Sequence, residues 1–229
     1  DQRNGNSLTS SVAAGRENAR MVRDQVPAEM WEEINRLYLF FRSDKARELW
    51  ESSPFDFLQQ VRSSALTFVG ISYASTPHNE GWNFIQVGKF IERADKTTRM
   101  LDIRHSSLPK RGIPPTISQA DALGWSAVLR SCSAWDAYKA LHGSEVHPKF
   151  VAEYLLLSDE FPRSLKFCVD RLDSSLRHIS GVAPRRFSND AERLSGRLLA
   201  ELQYSKIEEV FDIGLHEYVD QVQARLNQI

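Results

Sequence analysis

One stretch of the chain, residues 82–105 (WNFIQVGKFIERADKTTRMLDIRH), constrains the fold more than any other. Its apolar residues recur at steps of three and four, which is the period of a helix face that packs against a core. We expect the following side chains to face inward: Phe84, Val87, Ile91, Ala94, Thr98 and Leu101. The chain is therefore predicted to be organised around one long central helix.

A second stripe on this helix is polar and contains Gly88, Glu92, Asp95, Arg99 and Asp102. At about 100° per residue, it lies roughly a quarter turn from the apolar stripe. Glu92, Asp95 and Arg99 are therefore predicted at the edge of the core. Two interpretations stay open: a pocket for a cation, a phosphate-bearing ligand or a peptide amine, or a buried ion-pair network in which Arg99 pairs with Asp95 four residues earlier.

The basic residues Lys89, Arg93 and Lys96 fall on the far side of the same helix. At these positions water is the expected neighbour. Arg93 has a long side chain, so we expect it either to be solvated or to reach another helix.

The rest of the chain also has helical periodicity, and strand signals are almost absent. The predicted helices span residues 7–25, 27–42, 44–50, 54–74, 82–105, 118–141, 148–157, 162–179, 189–204 and 206–227. This pattern predicts an all-α, bundle-like array of about nine or ten helices with no significant sheet. Residues 106–117 contain three prolines and a glycine. They form the clearest loop and the point of a possible subdivision.

Four arginines in other helical segments are further candidates for a binding site. They are Arg20, Arg23, Arg130 and Arg163. Guanidinium groups can converge on phosphate or carboxylate through forked donors. Alternatively, these arginines form ion pairs with acids such as Asp24, Glu29 and Asp136.

Charge and motifs speak against several classes of function. The 29 basic and 30 acidic residues give a formal charge of −1, which provides no global field for nucleic acid or an anionic membrane. No apolar run approaches the roughly 20 residues of a membrane span. Glycine-rich phosphate loops are absent. For a metal site the only acid-x-x-His pattern is Asp102 with His105, and a di-iron bundle needs two Glu-x-x-His helices with further glutamates, so no metal site is predicted.

The two cysteines, Cys132 and Cys168, lie in helical and partly apolar patterns. We expect both to be small buried hydrophobic residues, since no base or positive field is evident near them in the sequence. So few thiols in a chain of this size favour a reducing compartment, and the predicted location is the cytoplasm.

Residues 87–102 (VGKFIERADKTTRMLD) resemble the signature of the Alpha-E family, a bacterial all-helical family named for a Glu-Arg motif. Further blocks that agree are 17–24 with 28–38, and 129–138 with 151–157 and 161–168. The resemblance implies a single Alpha-E-like helical domain over residues 1–229. The resemblance implies two Glu-Arg helices in tandem, the first of them near the N-terminus. We therefore expect that the N-terminal segment with the first such helix is missing here.

The resemblance also implies partners, because Alpha-E proteins are typically encoded or fused beside an ATP-grasp ligase and a transglutaminase-like protease. We therefore expect a non-catalytic binding or scaffold component that works with a peptide or amide ligase. The alternative is an enzyme in which Glu92 or Asp95 is a general base and Arg99 orients an anionic substrate. A purely structural oligomer is a third possibility. No catalytic residue, cofactor or oligomeric state is assigned.

Overall fold

The computed structural model describes residues 4–5, 7–104, 119–183 and 186–229. These residues form twelve α-helices and no strand: α1 (Leu8–Met21), α2 (Ala28–Phe41), α3 (Asp44–Ser52), α4 (Pro54–Ser75), α5 (Glu80–Asp102), α6 (Gln119–Ser131), α7 (Trp135–His142), α8 (Pro148–Leu157), α9 (Leu165–Ser180), α10 (Asp190–Tyr204), α11 (Ile207–Ile213) and α12 (Leu215–Leu226). The all-α prediction is confirmed. The predicted number of nine or ten helices is wrong.

Two breaks account for the extra helices. The segment predicted as one helix over 118–141 divides into α6 and α7, and Ser133 between them has a φ of 54°. The segment predicted over 206–227 divides at Gly214, whose φ is 106°. A positive φ interrupts the helical hydrogen-bond ladder. Apolar residues keep their spacing across such a break, so periodicity alone does not reveal it.

Local capping explains where several helices begin and end. The Ser53 hydroxyl accepts a hydrogen bond from the N–H of Asp56, and Pro54 occupies the first helical position of α4. The Ser164 hydroxyl accepts from the N–H of Phe167. Helix α9 therefore begins at Leu165 rather than at the predicted position 162.

The chain divides into two compact units, and the first is Asp1–Trp82. In this unit α2 packs against α1 and α4, and α3 packs against α4. Its buried hydrophobic residues are Val12, Met30, Leu37, Ala46, Phe57 and Trp82. The centroid of the Phe57 ring lies 5.3 to 5.7 Å from those of Phe40, Phe41 and Trp50. These four rings form an aromatic cluster in this small core.

The second unit is Asn83–Ile229, and its core is centred on α8 and α9. Helix α9 packs against α8 and α10, while α8 also contacts α6, α7 and α11. The fully buried residues of the two central helices include Val151, Leu155, Leu156, Leu165, Val169 and Leu172. Helix α5 contributes Phe90, Ala94 and Leu101 to the same core.

The buried face of α5 is the predicted one except at its start. Phe84, predicted to face inward, is 57% exposed, and Val87 and Ile91 are partly buried. The remaining predicted residues are fully buried, namely Ala94, Thr98 and Leu101. Thr97 is also buried, and its hydroxyl donates a 2.8 Å hydrogen bond to the Arg163 carbonyl of another segment. A buried polar group with a distant partner does not register in a hydrophobic pattern, so the prediction missed it.

The predicted subdivision at residues 106–117 lies outside the described residues, as do His105 and the start of the predicted helix at Ser118. The single-domain interpretation therefore stays a prediction. Within the described residues, no helix combines the length and the apolarity that crossing a bilayer requires.

Candidate functional site

The polar stripe of α5 is only partly at the edge of the core. The Asp95 side chain is 18% exposed, whereas those of Glu92 and Arg99 are 65% and 52% exposed. Arg99 Nε donates to Asp95 Oδ2 at 2.8 Å, which is the predicted pairing over four residues, and this hydrogen bond raises the pKa of Arg99. Glu92 pairs instead with Lys96 at 3.2 Å. Most of the stripe is therefore a set of surface ion pairs.

The second carboxylate oxygen of Asp95, Oδ1, is buried and has no hydrogen-bond partner among the described residues. A general base must approach the proton that it removes to within about 3 Å. An oxygen enclosed by the protein does not offer that approach. Asp95 is thus better placed to orient Arg99 than to act on a substrate.

Arg93 reaches across to the turn that precedes α9. Its Nη1 donates to the Pro162 carbonyl at 3.3 Å, and its guanidinium lies 5.7 Å from the Phe90 ring centroid. Together with the bond from Thr97 to the Arg163 carbonyl, this contact ties α5 to the turn at two successive carbonyls. Of the two environments expected for Arg93, the contact with another segment is confirmed.

The charges of three basic side chains act on the Cys168 thiol, and we call Lys89, Arg93 and Arg163 the α5–α9 basic cluster. Burial raises the pKa of the Cys168 thiol to about 12, and the charges of Arg93, Arg163 and Lys89 each act to lower it. Among the described residues, the charges that act on this sulfur are all positive.

Arg163 is the member of this cluster that is best suited to bind a ligand. It is partly buried, and its guanidinium forms no ion pair within the described part of the chain. Its charge acts on both thiols, Cys132 and Cys168. A guanidinium without an ion pair keeps forked donors available for an anion.

The two cysteines are buried, as the sequence predicts. Burial raises the pKa of Cys132 to about 11 and that of Cys168 to about 12. The positive field that is not evident in the sequence comes from Arg163, whose charge acts on both thiols. Arg163 is distant in the chain from Cys132, and Arg93 and Lys89 are distant from Cys168, so local sequence does not show most of this field. Desolvation nevertheless dominates, and both sulfurs are protonated near neutral pH.

Of the other candidate arginines, Arg20 forms an ion pair, as the alternative interpretation expects. Its partner is Glu17 at 2.6 Å rather than Asp24, and this pair raises the pKa of Arg20. Arg23 lies 5.7 Å from the Trp31 ring centroid. Both arginines belong to the first unit.

Arg130, in the second unit, lies 4.4 Å from the Trp135 ring centroid. Asp136, a predicted partner for an arginine, instead pairs with Lys139 at 3.4 Å on its own helix. A lysine three residues from an acid on the same helix lies within reach of it, as Lys139 does of Asp136. Arg23 and Arg130 lie against aromatic rings instead.

A buried network between α9 and α10 escaped the sequence interpretation. Glu192 is fully buried and accepts hydrogen bonds from the Ser188 N–H at 2.7 Å and from Asn189 Nδ2 at 3.0 Å. Hydrogen bonds from the Ser180 hydroxyl and then from Ser188 and Asn189 hold the pKa of Glu192 below its usual value. The three-residue spacing from the cap Asn189 to Glu192 is the available signal, since it is that of a capping box.

Asp173 completes this network. It accepts from Arg177 Nε at 2.7 Å and from the Ser195 hydroxyl at 2.7 Å, which joins α9 to α10. Arg177 also donates to the Arg186 carbonyl. The donors and acceptors satisfy one another, so this network fixes helix packing and offers no open site.

Asp102 and His216 connect α5 with α12 at 2.6 Å between Oδ1 and Nδ1. The hydrogen bond with Asp102 raises the pKa of His216. Among the described residues, no three or more His, Cys, Asp or Glu side chains are grouped to hold a metal ion.

The model of the Alpha-E family, described as a predicted α-helical domain with a conserved ER motif, matches residues 1–229. The chain belongs to the Alpha-E family. This Alpha-E chain contains two Glu-Arg pairs, one at 92–93 in α5 and one at 192–193 at the start of α10. Only the first pair was predicted to belong to a site.

Uncharacterised proteins of Mycobacterium bovis and Mycobacterium tuberculosis are similar to this Alpha-E chain, with 27% identity over 212 residues. The match covers 91% of this chain but only 23% of each relative. The chain thus spans about a quarter of the length of the curated relatives that it matches. No solved structure matches it.

Proposed function

We propose that this Alpha-E chain is a non-catalytic binding component whose α5–α9 basic cluster holds the carboxylate group of a peptide. The observation that carries the proposal is the position of Arg163, a partly buried guanidinium with no ion pair within the described residues. Arg93 and Lys89 add positive charge at the same place. Planar, forked donors in a positive potential suit a bidentate carboxylate.

The groups that could perform chemistry in this unit support a binding role. Both thiols are buried and protonated. Glu192 is enclosed by its own hydrogen bonds, and the buried oxygen of Asp95 cannot meet a substrate. Lys89, Arg93 and Arg163, in contrast, are only partly buried. Binding without turnover is therefore the function that this geometry favours.

The proposed partners follow from the family resemblance. An ATP-grasp ligase activates a carboxylate and joins it to an amine, and a transglutaminase-like protease acts on amide bonds. A domain that presents a peptide carboxylate would serve both. The mycobacterial relatives contain this region as 23% of a longer chain, which is consistent with a domain that acts beside others. Two free thiols favour a reducing compartment, and we propose the cytoplasm.

A thermal-shift comparison tests the carboxylate site. Short peptides with a free C-terminal carboxylate should raise the melting temperature, and the same peptides as C-terminal amides should not. Arg163→Gln should abolish the shift. Arg197→Gln is the matched control, because it removes the same charge from an exposed position on α10 and should leave the shift unchanged. Equal loss in both variants, or an equal shift with acid and amide peptides, would refute the site.

Co-purification tests the proposed partner. The chain should retain an ATP-grasp ligase on a column, and Arg163→Gln should weaken that retention. A measurable turnover on a peptide or amide that falls at least about tenfold in Glu92→Gln, with folding intact, would instead support the enzymatic alternative.

A further inference from the structure

Three arginines and two aromatic rings alternate across the first two helices of the first unit. Arg23 and Arg16 lie 5.7 and 5.3 Å from the Trp31 ring centroid. Arg16 also lies 4.6 Å from the Tyr38 centroid, and Arg42 lies 5.5 Å from the same ring. We call these five residues the arginine–aromatic row. Each ring thus has two guanidinium groups as neighbours.

The row is fixed in position by its own contacts. Trp31 and Tyr38 are seven residues apart, about two helical turns, so both rings lie on one face of α2. Between them Asn35 Oδ1 accepts a 2.7 Å hydrogen bond from Arg16 Nε. Arg42 Nη1 donates to the Tyr38 hydroxyl at 3.0 Å. The guanidinium groups of Arg16 and Arg42 are therefore held in place before any ligand arrives.

Within the described residues Arg16, Arg23 and Arg42 form no ion pair. The charge of Arg16 acts on the Glu17 carboxylate, but the ion pair of Glu17 is with Arg20. Glu33 pairs with Arg36. Like charges that share one ring repel each other. A bound anion would relieve that repulsion.

We propose that the arginine–aromatic row is a binding site for an acidic peptide segment. A guanidinium stacked on a ring keeps its in-plane N–H groups free for bidentate bonds to carboxylates. The ring faces between them accept the apolar parts of the peptide. A nucleic acid fits less well, because the chain carries a net charge of −1 and provides no long-range attraction for a polyanion. This site lies in the first unit and is independent of the α5–α9 basic cluster.

Fluorescence anisotropy with the full chain and a labelled oligoglutamate peptide tests the proposal. Binding should be measurable at low salt and should weaken as salt rises. Arg16→Gln should reduce the affinity at least about tenfold, because it removes the guanidinium that contacts both rings. Arg23 contacts one ring only, so Arg23→Gln should reduce the affinity less. A thermal melt shows whether Arg16→Gln is folded, and if it is not, Arg23→Gln still tests the site.

Two controls separate this site from general charge attraction. The double variant Asp136→Asn with Lys139→Gln removes an ion pair of the second unit without changing net charge and should leave the affinity within about twofold. Arg62→Gln removes one charge from an exposed position on α4 and should do the same. Equal weakening by Arg62→Gln and Arg16→Gln, absence of peptide binding, or tighter binding of an oligothymidine of equal charge would overturn the proposal. Arg163→Gln should leave this affinity unchanged.

Discussion

At the scale of single residues, burial and charge compete at Cys168. Three cations act to lower the pKa of this thiol, yet removal from water raises it to about 12. The cost of burying a thiolate exceeds the attraction of charges that remain partly hydrated. A positive potential beside a sulfur is thus not sufficient to make it a nucleophile.

Thiol labelling checks this balance. At pH 8 the folded chain should react with iodoacetamide at least about 100-fold more slowly than free cysteine, whose pKa is about 8.5, because the thiolate is so scarce. Cys168 and Cys132 should both reach the free rate in urea. Rapid labelling of either residue in the folded chain would contradict the assigned burial.

At Glu192 the hydrogen bonds to its carboxylate outweigh the effect of burial, so its pKa is lowered rather than raised. Glu192→Gln replaces an acceptor with an amide that cannot satisfy all of these donors, and should destabilise the second unit by about 1–3 kcal/mol. Urea denaturation measures the change. Glu153→Gln, at an exposed position on α8, should stay within about 0.5 kcal/mol.

The pH dependence of this effect has a fixed sign. The pKa of Glu192 is lowered in the folded state, so its stabilising contribution is present above the unfolded pKa. It is lost as the pH falls through the folded pKa. The difference between the wild type and Glu192→Gln should therefore shrink toward acid pH. A difference that grows on acidification would exclude the assigned hydrogen bonds.

At the scale of elements, single residues decide where a helix stops. Gly214 ends α11 with a φ of 106° and a ψ of 130°, a conformation that side chains rarely adopt. A Cβ at this position would also meet the Glu217 carboxylate. Helices α11 and α12 are separate because Gly214 can adopt this backbone conformation.

Gly214→Ala should therefore cost about 1–3 kcal/mol of unfolding free energy. Gly88→Ala is the control, because Gly88 lies in α5 with open space around the added Cβ and no positive φ. That substitution should stabilise the helix by about 0.5–1 kcal/mol. Thermal or urea unfolding of the two variants provides the comparison, and a neutral Gly214→Ala would contradict the backbone assignment.

The Asp102–His216 contact joins two elements and depends on pH. Because the pKa of His216 is raised in the folded state, its contribution to stability is present below the unfolded pKa and is lost as the pH rises through the folded pKa. NMR titration should place its pKa above 6.5, and Asp102→Asn should lower it. Asp136→Asn, which breaks a pair with Lys139, should leave it unchanged.

At the scale of the whole molecule, burial is distributed unevenly between the units. The large core around α8 and α9 belongs to the second unit, whereas the first unit buries few hydrophobic side chains. Helix α4 leaves Phe55, Leu66 and Tyr73 more than half exposed. The stability of backbone hydrogen bonds should follow this distribution.

Hydrogen exchange measures that distribution directly. Amides of α8 and α9, including Leu155 and Val169, should exchange most slowly, because only global unfolding of their unit exposes them. Amides of α1 and α2 should exchange faster. Equal protection of α1 and α9 would show that the first unit is stabilised by more than the burial that is described.

The sequence by itself determined the helical class, the long helix α5, the Asp95–Arg99 pair, the burial of both cysteines and the family. Each of these depends on residues near one another in the chain or on their overall pattern. Apolar residues at steps of three and four require a helix whatever packs against it. An acid and an arginine four residues apart meet on any helix.

Only the tertiary structure decided that Thr97 of α5 is buried and Phe84 exposed, which partner Arg93 reaches and which aromatic rings the arginines contact. Thr97 is inside because its hydroxyl meets a carbonyl 66 residues away, and Phe84 is outside although it is apolar. Glu192 is buried because donors from the end of α9 and the start of α10 converge on it. These outcomes depend on contacts between segments that are distant in the chain, and a local hydrophobic pattern does not predict such contacts.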